Sequence, residues 1–326
     1  MSLLANWSLR RPPAAAPAPV APPPAPVAPP PAAADTATGR VQYLDHFGLR
    51  SAPFQNTPKT DLFCGTGGRA RLLYELLSHV RLGKGLVALC GAGGSGKTLL
   101  ARMLRSCAPA ALDVALLAPA ALGRSDLCTL IADELSCEAG GPHAVLQLQV
   151  ALAQRHAAGR RMAVVIDEAE RLSDEALRQI VAWTTHHSPL HLPMAVLLVG
   201  RELRDPRLDA AARLHVPSLS ELDSVGYLAY RLLRAGGSPA CFDGPAARRV
   251  ARAALGLCGR INVLADRSLM AAYLDGAPRV HLHHVTLALS ETALDARREA
   301  AAPSTTAASP LGRVWRRYRL GRIGPV

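Results

Sequence analysis

The sequence predicts an α/β fold, a parallel sheet with helices on both faces followed by an all-helical unit, and three observations carry that prediction. Short apolar runs, "GLVALC", "DVALLAP", "RMAVVID" and "PMAVLLVG", alternate with segments whose apolar residues recur at helical spacing, the pattern of a buried parallel sheet. Beyond about Ser220 such runs stop and four helical patterns follow. Aromatic residues are only 4% of the chain, so the core must be built from Ala, Leu and Val, which suits helix-on-sheet layers better than a β-sandwich.

Residues 1–40 include "PPAAAPAPVAPPPAPVAPPPAAA", which cannot form a core and is expected to be a disordered, extended tether. Order is expected from near Val41. "LLYELLSHV" predicts a helix, "GLVALC" a strand feeding a glycine-rich loop, and "TLLARMLRSC" the helix after that loop. "DVALLAP" and "RMAVVID" are strand-like, with helical "SDLCTLIADELS" and "AVLQLQVALAQRHAA" between them; "DEALRQIVAWTT" is helical and "PMAVLLVG" again a strand. The helices of the second unit are predicted at "SELDSVGYLAYRLLRAGG", "GPAARRVARAAL", "GRINVLADRSLMAAYLDG" and "HLHHVTLALSETALDARREA". The expected organisation is a nucleotide-binding α/β domain over 41–219, a helical domain over 220–297 and a basic tail over 298–326, with no internal repeat.

The chain has 326 residues, 49% apolar and 19% charged, with a formal charge of +12. Arg10, Arg11 and the arginines of the acid-free tail (Arg313, Arg316, Arg317, Arg319, Arg322) carry seven of those charges, so the body is only modestly basic. Seven cysteines, odd in number and without Cys-x-x-Cys spacing, fit reduced thiols. The arginines follow the short N-terminal apolar patch, the reverse of a secretory signal, and no apolar run is long enough to span a membrane, so a cytoplasmic location is expected.

"GAGGSGKT" supplies Gly91, Ala92, Gly93, Gly94, Ser95, Gly96, Lys97 and Thr98 in phosphate-loop spacing, with one of only three lysines in the chain at its key position. Glycines let backbone N–H groups turn inward around phosphates, Lys97 can reach β and γ oxygens, and Thr98 can ligate Mg²⁺. Downstream, "MAVVIDEAE" ends an apolar strand in Asp167 and Glu168. Beside the loop, Asp167 would hold the Mg²⁺ shell and Glu168 would polarise an attacking water, which points to hydrolysis rather than binding alone. Gly200 and Arg201 lie just past a strand, where a polar residue can sense a γ-phosphate. Arg213 and Arg260 are further candidates for stabilising transition-state charge, although arginine is so abundant here that a surface ion pair is the default for each. Two histidine groups, His281, His283 and His284, and His186, His187 and His191, show no carboxylate or thiolate at ligand spacing, and no metal is expected there.

Several stretches together resemble the AAA+ ATPases typified by general secretion pathway protein A and the related pilus-biogenesis ATPases. "YLDHFGLRSAPFQNTP" resembles that family's entry motif, "DEAERLS" its hydrolysis motif, and "YLAYRLLRAGG" and "GLCGRINVLADRSLMAAYLDG" its lid helices, so the resemblance spans about Tyr43 to Ala296. It implies ATP and Mg²⁺ as cofactors, catalytic roles for Lys97 and Glu168, and a ring or partial-ring homo-oligomer. It also implies Arg213 as a finger acting on a neighbouring subunit's nucleotide, and Arg260 as the lid's sensor. The chain departs from the family at Gly200-Arg201-Glu202-Leu203, where Gly-Gln-Pro-Glu-Leu is usual, and at Gly259, where Pro is usual and a looser junction is therefore expected.

The resemblance implies a protein partner in a secretion or pilus envelope machine. Leu311, Val314, Trp315 and Tyr318 fall on one helical face with arginines opposite, a basic amphipathic segment suited to an anionic membrane surface or an acidic partner, at the inner face of the cytoplasmic membrane. The alternative is a DNA-binding ATPase that regulates transposition, which shares this core.

Overall fold

The computed structural model describes residues 43–83, 85–117, 127–137, 140–185, 188 and 191–301. The Pro/Ala segment, the tail from residue 302 onward, and His186 and His187 lie outside the described residues.

Five strands form one parallel sheet: β1 (Leu86–Cys90), β2 (Leu112–Leu117), β3 (Arg161–Ile166), β4 (Ala195–Gly200) and β5 (Ala212–His215), in the order β2-β3-β4-β1-β5. The helices of this unit are α1 (Arg69–Arg81), α2 (Lys97–Ser106), α3 (Leu127–Glu134), α4 (Ala144–Ala157) and α5 (Asp174–Thr184). Successive strand residues serve opposite faces. Val87, Leu89, Val165, Leu197 and Val199 pack on α1 and α2 through Leu72, Leu76, Leu100 and Leu104. Ala88, Val164, Ile166, Val196 and Leu198 pack on α3, α4 and α5 through Ile131, Leu148, Leu152 and Trp183. Two-sided burial explains why β1, β3 and β4 read as unbroken apolar runs.

The sequence reading passes over β5, which alternates half-buried and exposed residues along "ARLH" at the sheet edge. An edge strand buried on one side needs no apolar run.

The second unit consists of α6 (Glu221–Arg234), α7 (Gly244–Ala254), α8 (Cys258–Leu274) and α9 (Leu282–Ala301). Helix starts are fixed by side chains: the Ser220 and Asp243 side-chain oxygens accept N–H bonds from Asp223 and Ala246. Its core also recruits Tyr43, Phe47, Leu49 and Phe54 from the start of the described chain, so the entry segment packs with the lid, 170 or more residues downstream, as well as leading into the sheet. Among the described residues, no helix is long and apolar enough to cross a membrane, and no cysteine forms a disulfide.

Candidate functional site

The sheet order places the carboxyl end of β4 between those of β1 and β3, with Cys90 in register with Gly200 and Leu198 with Ile166. Three segments therefore meet at one rim: the loop after β1, Asp167 after β3, and Arg201 after β4. This is the crevice where open parallel sheets bind ligands.

The loop 91–96 runs into α2, with Gly94 and Gly96 at φ +79° and +98°, backbone that an L side chain strains to adopt. Among the described residues the amides of Gly93, Gly94 and Gly96 meet no acceptor, while the Ser95 hydroxyl is buried without a partner. Lys97 folds its ammonium back on the loop, donating to the carbonyls of Gly91 at 2.7 Å and Ala92 at 3.0 Å. Burial lowers the Lys97 pKa from its ordinary value; the carboxylates of Glu170 and then Asp167 oppose that shift. Such a loop, with left-handed glycines, a buried orphan hydroxyl and an ammonium resting on carbonyls, fits a polyphosphate.

Thr98 Oγ1 donates to Asp167 Oδ2 at 2.7 Å although 69 residues separate them, and Asp167 is buried. Two hard oxygens from the loop and the adjacent strand end, beside phosphate-binding amides, fit Mg²⁺. Arg69 braces the loop from behind, its buried guanidinium donating to the carbonyls of Ser95 and Pro217, both at 3.3 Å. The sequence offered no sign of that role for Arg69.

Glu168 sits at the rim with a left-handed backbone, φ +49°, and its carboxylate bonds Arg171 at 3.0 Å. The carboxylate that reaches β4 belongs to Glu170, which accepts from the Arg201 N–H at 3.3 Å. Glu170 is not singled out in the sequence; its place as the third acid of "DEAE" is the signal that could have found it.

Arg260 is an exposed residue in the first turn of α8, next to Gly259, whose N–H donates to the Gly94 carbonyl at 2.8 Å. The loose junction expected from Gly259 is not observed: a Cβ there would stand 3.0 Å from the Gly94 Cα, so absence of a side chain lets the lid touch the phosphate loop directly. Arg213 is held elsewhere in its own chain, donating to the carbonyls of Leu203 at 2.6 Å and Leu208 at 3.5 Å and pairing with Asp209 at 3.4 Å. None of these partners belongs to the phosphate loop.

Folding supplies the carboxylate that the histidine spacing lacked. Asp275 Oδ2 lies 3.1 Å from His284 Nε2 and 3.4 Å from His283 Nε2. The His281 N–H, however, points at His284 Nδ1 from 2.9 Å, so Nδ1 accepts, Nε2 carries the proton, and that proton is directed at Asp275. The cluster is a hydrogen-bonded helix start, with His284 reaching back as the third residue of a capping box.

An AAA domain family matches residues 80–208. The chain is 30% identical to general secretion pathway protein A of Aeromonas hydrophila over 264 residues, 76% of this chain and 48% of that protein, so it spans about half the length of the curated relative it matches. Similar solved structures include Cdc6p from Pyrobaculum aerophilum (TM-score 0.56, 15% identity, 75% of this chain and 74% of that one). The Drosophila ORC bound to DNA is another (TM-score 0.59, 18% identity, 79% and 68%). At such identities these two speak for the fold alone. The 30% identity to general secretion pathway protein A and the match to an AAA domain, with the phosphate loop beside a buried aspartate on a five-stranded parallel sheet, place the chain among the AAA+ ATPases related to that protein.

Proposed function

We propose that this protein is a Mg²⁺-dependent ATP hydrolase that works as a homo-oligomer and couples turnover to the assembly of a secretion or pilus apparatus in the cell envelope. The observation that carries the enzymatic part is the 2.7 Å contact between Thr98 and the buried Asp167 beside Lys97. Mg²⁺, when bound, supplies charge neutralisation on the β and γ oxygens. The loop amides cradle phosphate, Lys97 exchanges the carbonyls of Gly91 and Ala92 for phosphate oxygens, and Thr98 and Asp167 present the hard oxygens. Glu168 polarises water, for which its carboxylate must leave Arg171, a pair exposed enough to part at little cost. Arg213 serves a neighbour's nucleotide by releasing its carbonyl partners on assembly, and Arg260 reads phosphate from the lid. The envelope role rests on the likeness to general secretion pathway protein A. The basic tail is the proposed contact with anionic membrane on the cytoplasmic side.

A DNA-binding ATPase is the second reading, favoured by a fold shared with ORC structures that hold DNA. One experiment separates the two: ATP turnover of the full chain with and without duplex DNA across a salt series. The envelope reading expects turnover that DNA leaves unchanged, that Lys97→Ala abolishes with loss of nucleotide binding, and that Glu168→Gln slows by on the order of a hundredfold while binding persists. Strong stimulation that fades as salt rises would replace it with the DNA reading.

A further inference from the structure

The rim of the sheet holds two acids after Asp167, and they are differently engaged. Glu168 pairs with Arg171 at 3.0 Å in an exposed contact. Glu170 turns the other way, to the end of β4, where its Oε2 accepts from the Arg201 N–H at 3.3 Å and its Oε1 lies 4.0 Å from Arg201 Nε. Gly200 leaves room for this contact: a Cβ there would stand 2.6 Å from Glu170 Oε2 and 2.9 Å from Leu203 Cδ2, and those side-chain ends would have to shift. Arg201 is tied to the phosphate loop as well. Its carbonyl faces the Gly91 N–H at 3.4 Å, and its guanidinium carbon lies 3.8 Å from where a Cβ on Gly93 would be.

The Arg201 side chain is 75% exposed, so packing does not fix its direction. A long cation of this kind explores many rotamers unless a fixed charge selects one. The Glu170 side chain is one-third exposed and hydrogen-bonded through its other oxygen to the backbone at the end of β4, so it can make that selection. Its hold is weak by design of distance: a carboxylate 4.0 Å from Nε is readily displaced by a phosphate carrying more charge and more acceptor oxygens.

Resting on the ATPase reading above, we propose that Glu170 is a positioning residue that holds Arg201 over the phosphate loop, ready to transfer its guanidinium to the terminal phosphate of ATP. ADP lacks the group that draws Arg201 away, so the pair makes the rim sensitive to the third phosphate. The acid at 170 and the cation at 201 then form one device, which accounts for a cation standing just past β4.

The test measures kcat, KM and the separate affinities for a non-hydrolysable ATP analogue and for ADP in wild type, Glu170→Ala, Arg201→Ala and the double variant. Each single variant is expected to lower kcat by about tenfold and to reduce the preference for the ATP analogue over ADP, with ADP affinity held within about twofold. The double variant is expected to be no worse than either single one, because both remove the same device. Glu170→Gln keeps an acceptor for the Arg201 N–H without the charge; it carries the same test if the alanine variant fails to fold, and is expected to lose the ATP preference. Three results would overturn the proposal. The losses could multiply in the double variant, the preference could survive Glu170→Ala, or Glu170→Ala could stop turnover while Arg201→Ala leaves it intact, making Glu170 the base. A wild type that binds both nucleotides with the expected preference but does not turn over would sink the ATPase reading alone, since the affinity ratio still tests the pair.

Discussion

Gly259 carries two constraints at once, a hydrogen bond from its N–H to the Gly94 carbonyl at 2.8 Å and a backbone approach that leaves 3.0 Å between a hypothetical Cβ and the Gly94 Cα. Proline would remove the donor, and any side chain would push on the loop. Gly259→Ala is therefore expected to move the loop by a few tenths of an ångström and to weaken ATP binding on the order of tenfold, with little change in melting temperature, because the contact is one among many that hold the lid. Titration of a fluorescent ATP analogue into wild type and variant checks this; equal affinities would mean that the loop yields without cost. At the same scale, Lys97, Thr98 and Asp167 were legible because phosphate binding demands fixed residue types at fixed spacing. Glu170 and Arg69 were not, since a positive φ at Glu168 and a contact between residues 26 apart decide where those side chains go.

Among elements, the start of α9 shows how a local sequence signal acquires its meaning from distant chain. "HLHH" invites a metal, yet His284 accepts the His281 N–H and faces Asp275, while His281 Nδ1 bonds Asp243 at 2.7 Å. Burial lowers the His284 pKa, with Asp275 opposing and the neighbouring His283 and His281 adding to the shift. A native histidine held neutral costs nothing above the unfolded pKa of about 6.5 and destabilises the fold as pH falls through that value, because the unfolded chain takes the proton first. The Asp275 carboxyl, held low chiefly by the His284 hydrogen bond, acts in the same sense but at much lower pH, its contribution being lost as pH falls below about 3.8. Gln at position 284 can accept the same N–H without titrating. The melting temperature of wild type should therefore drop faster than that of His284→Gln between pH 7.5 and 5.5; parallel curves would show that His284 titrates as it does in the unfolded chain. Helices and central strands were legible element by element from their periodicity. β5 was not, because half-burial at an edge leaves an alternating pattern only four residues long.

The two units of the molecule are joined by a polar chain, buried at Arg231 and Tyr227 and reaching the surface at Asn56, that no periodicity reveals. Arg231 donates to the carbonyls of Pro53 at 2.7 Å and Gln55 at 2.9 Å and to the Tyr227 hydroxyl at 2.9 Å. Tyr227 donates to Asn262 Oδ1 at 3.1 Å, Asn262 to Asn56 Oδ1 at 2.9 Å, and Asn56 to the Gly259 carbonyl at 3.5 Å. The next link is the Gly259 bond to the phosphate loop. Burial pushes the Tyr227 pKa up to about 12, so its hydroxyl keeps the proton it donates across the working range. Entry segment, lid helices and loop are thus fastened to one another, and nucleotide on the loop has a connected route to the lid. Arg231→Met removes three charged-donor bonds and strands the buried Pro53 carbonyl and the half-buried Gln55 carbonyl, at a cost of about 3 kcal/mol. The melting temperature of the variant should fall accordingly. Its rise on adding saturating ATP should shrink, because a lid no longer fastened to the entry segment holds the loop less firmly. Tyr227→Phe keeps both carbonyl bonds of Arg231 and should show a smaller loss of each. If Arg231→Met melts earlier yet gains as much from ATP as wild type does, the chain is a structural clasp and nucleotide reaches the lid by another route.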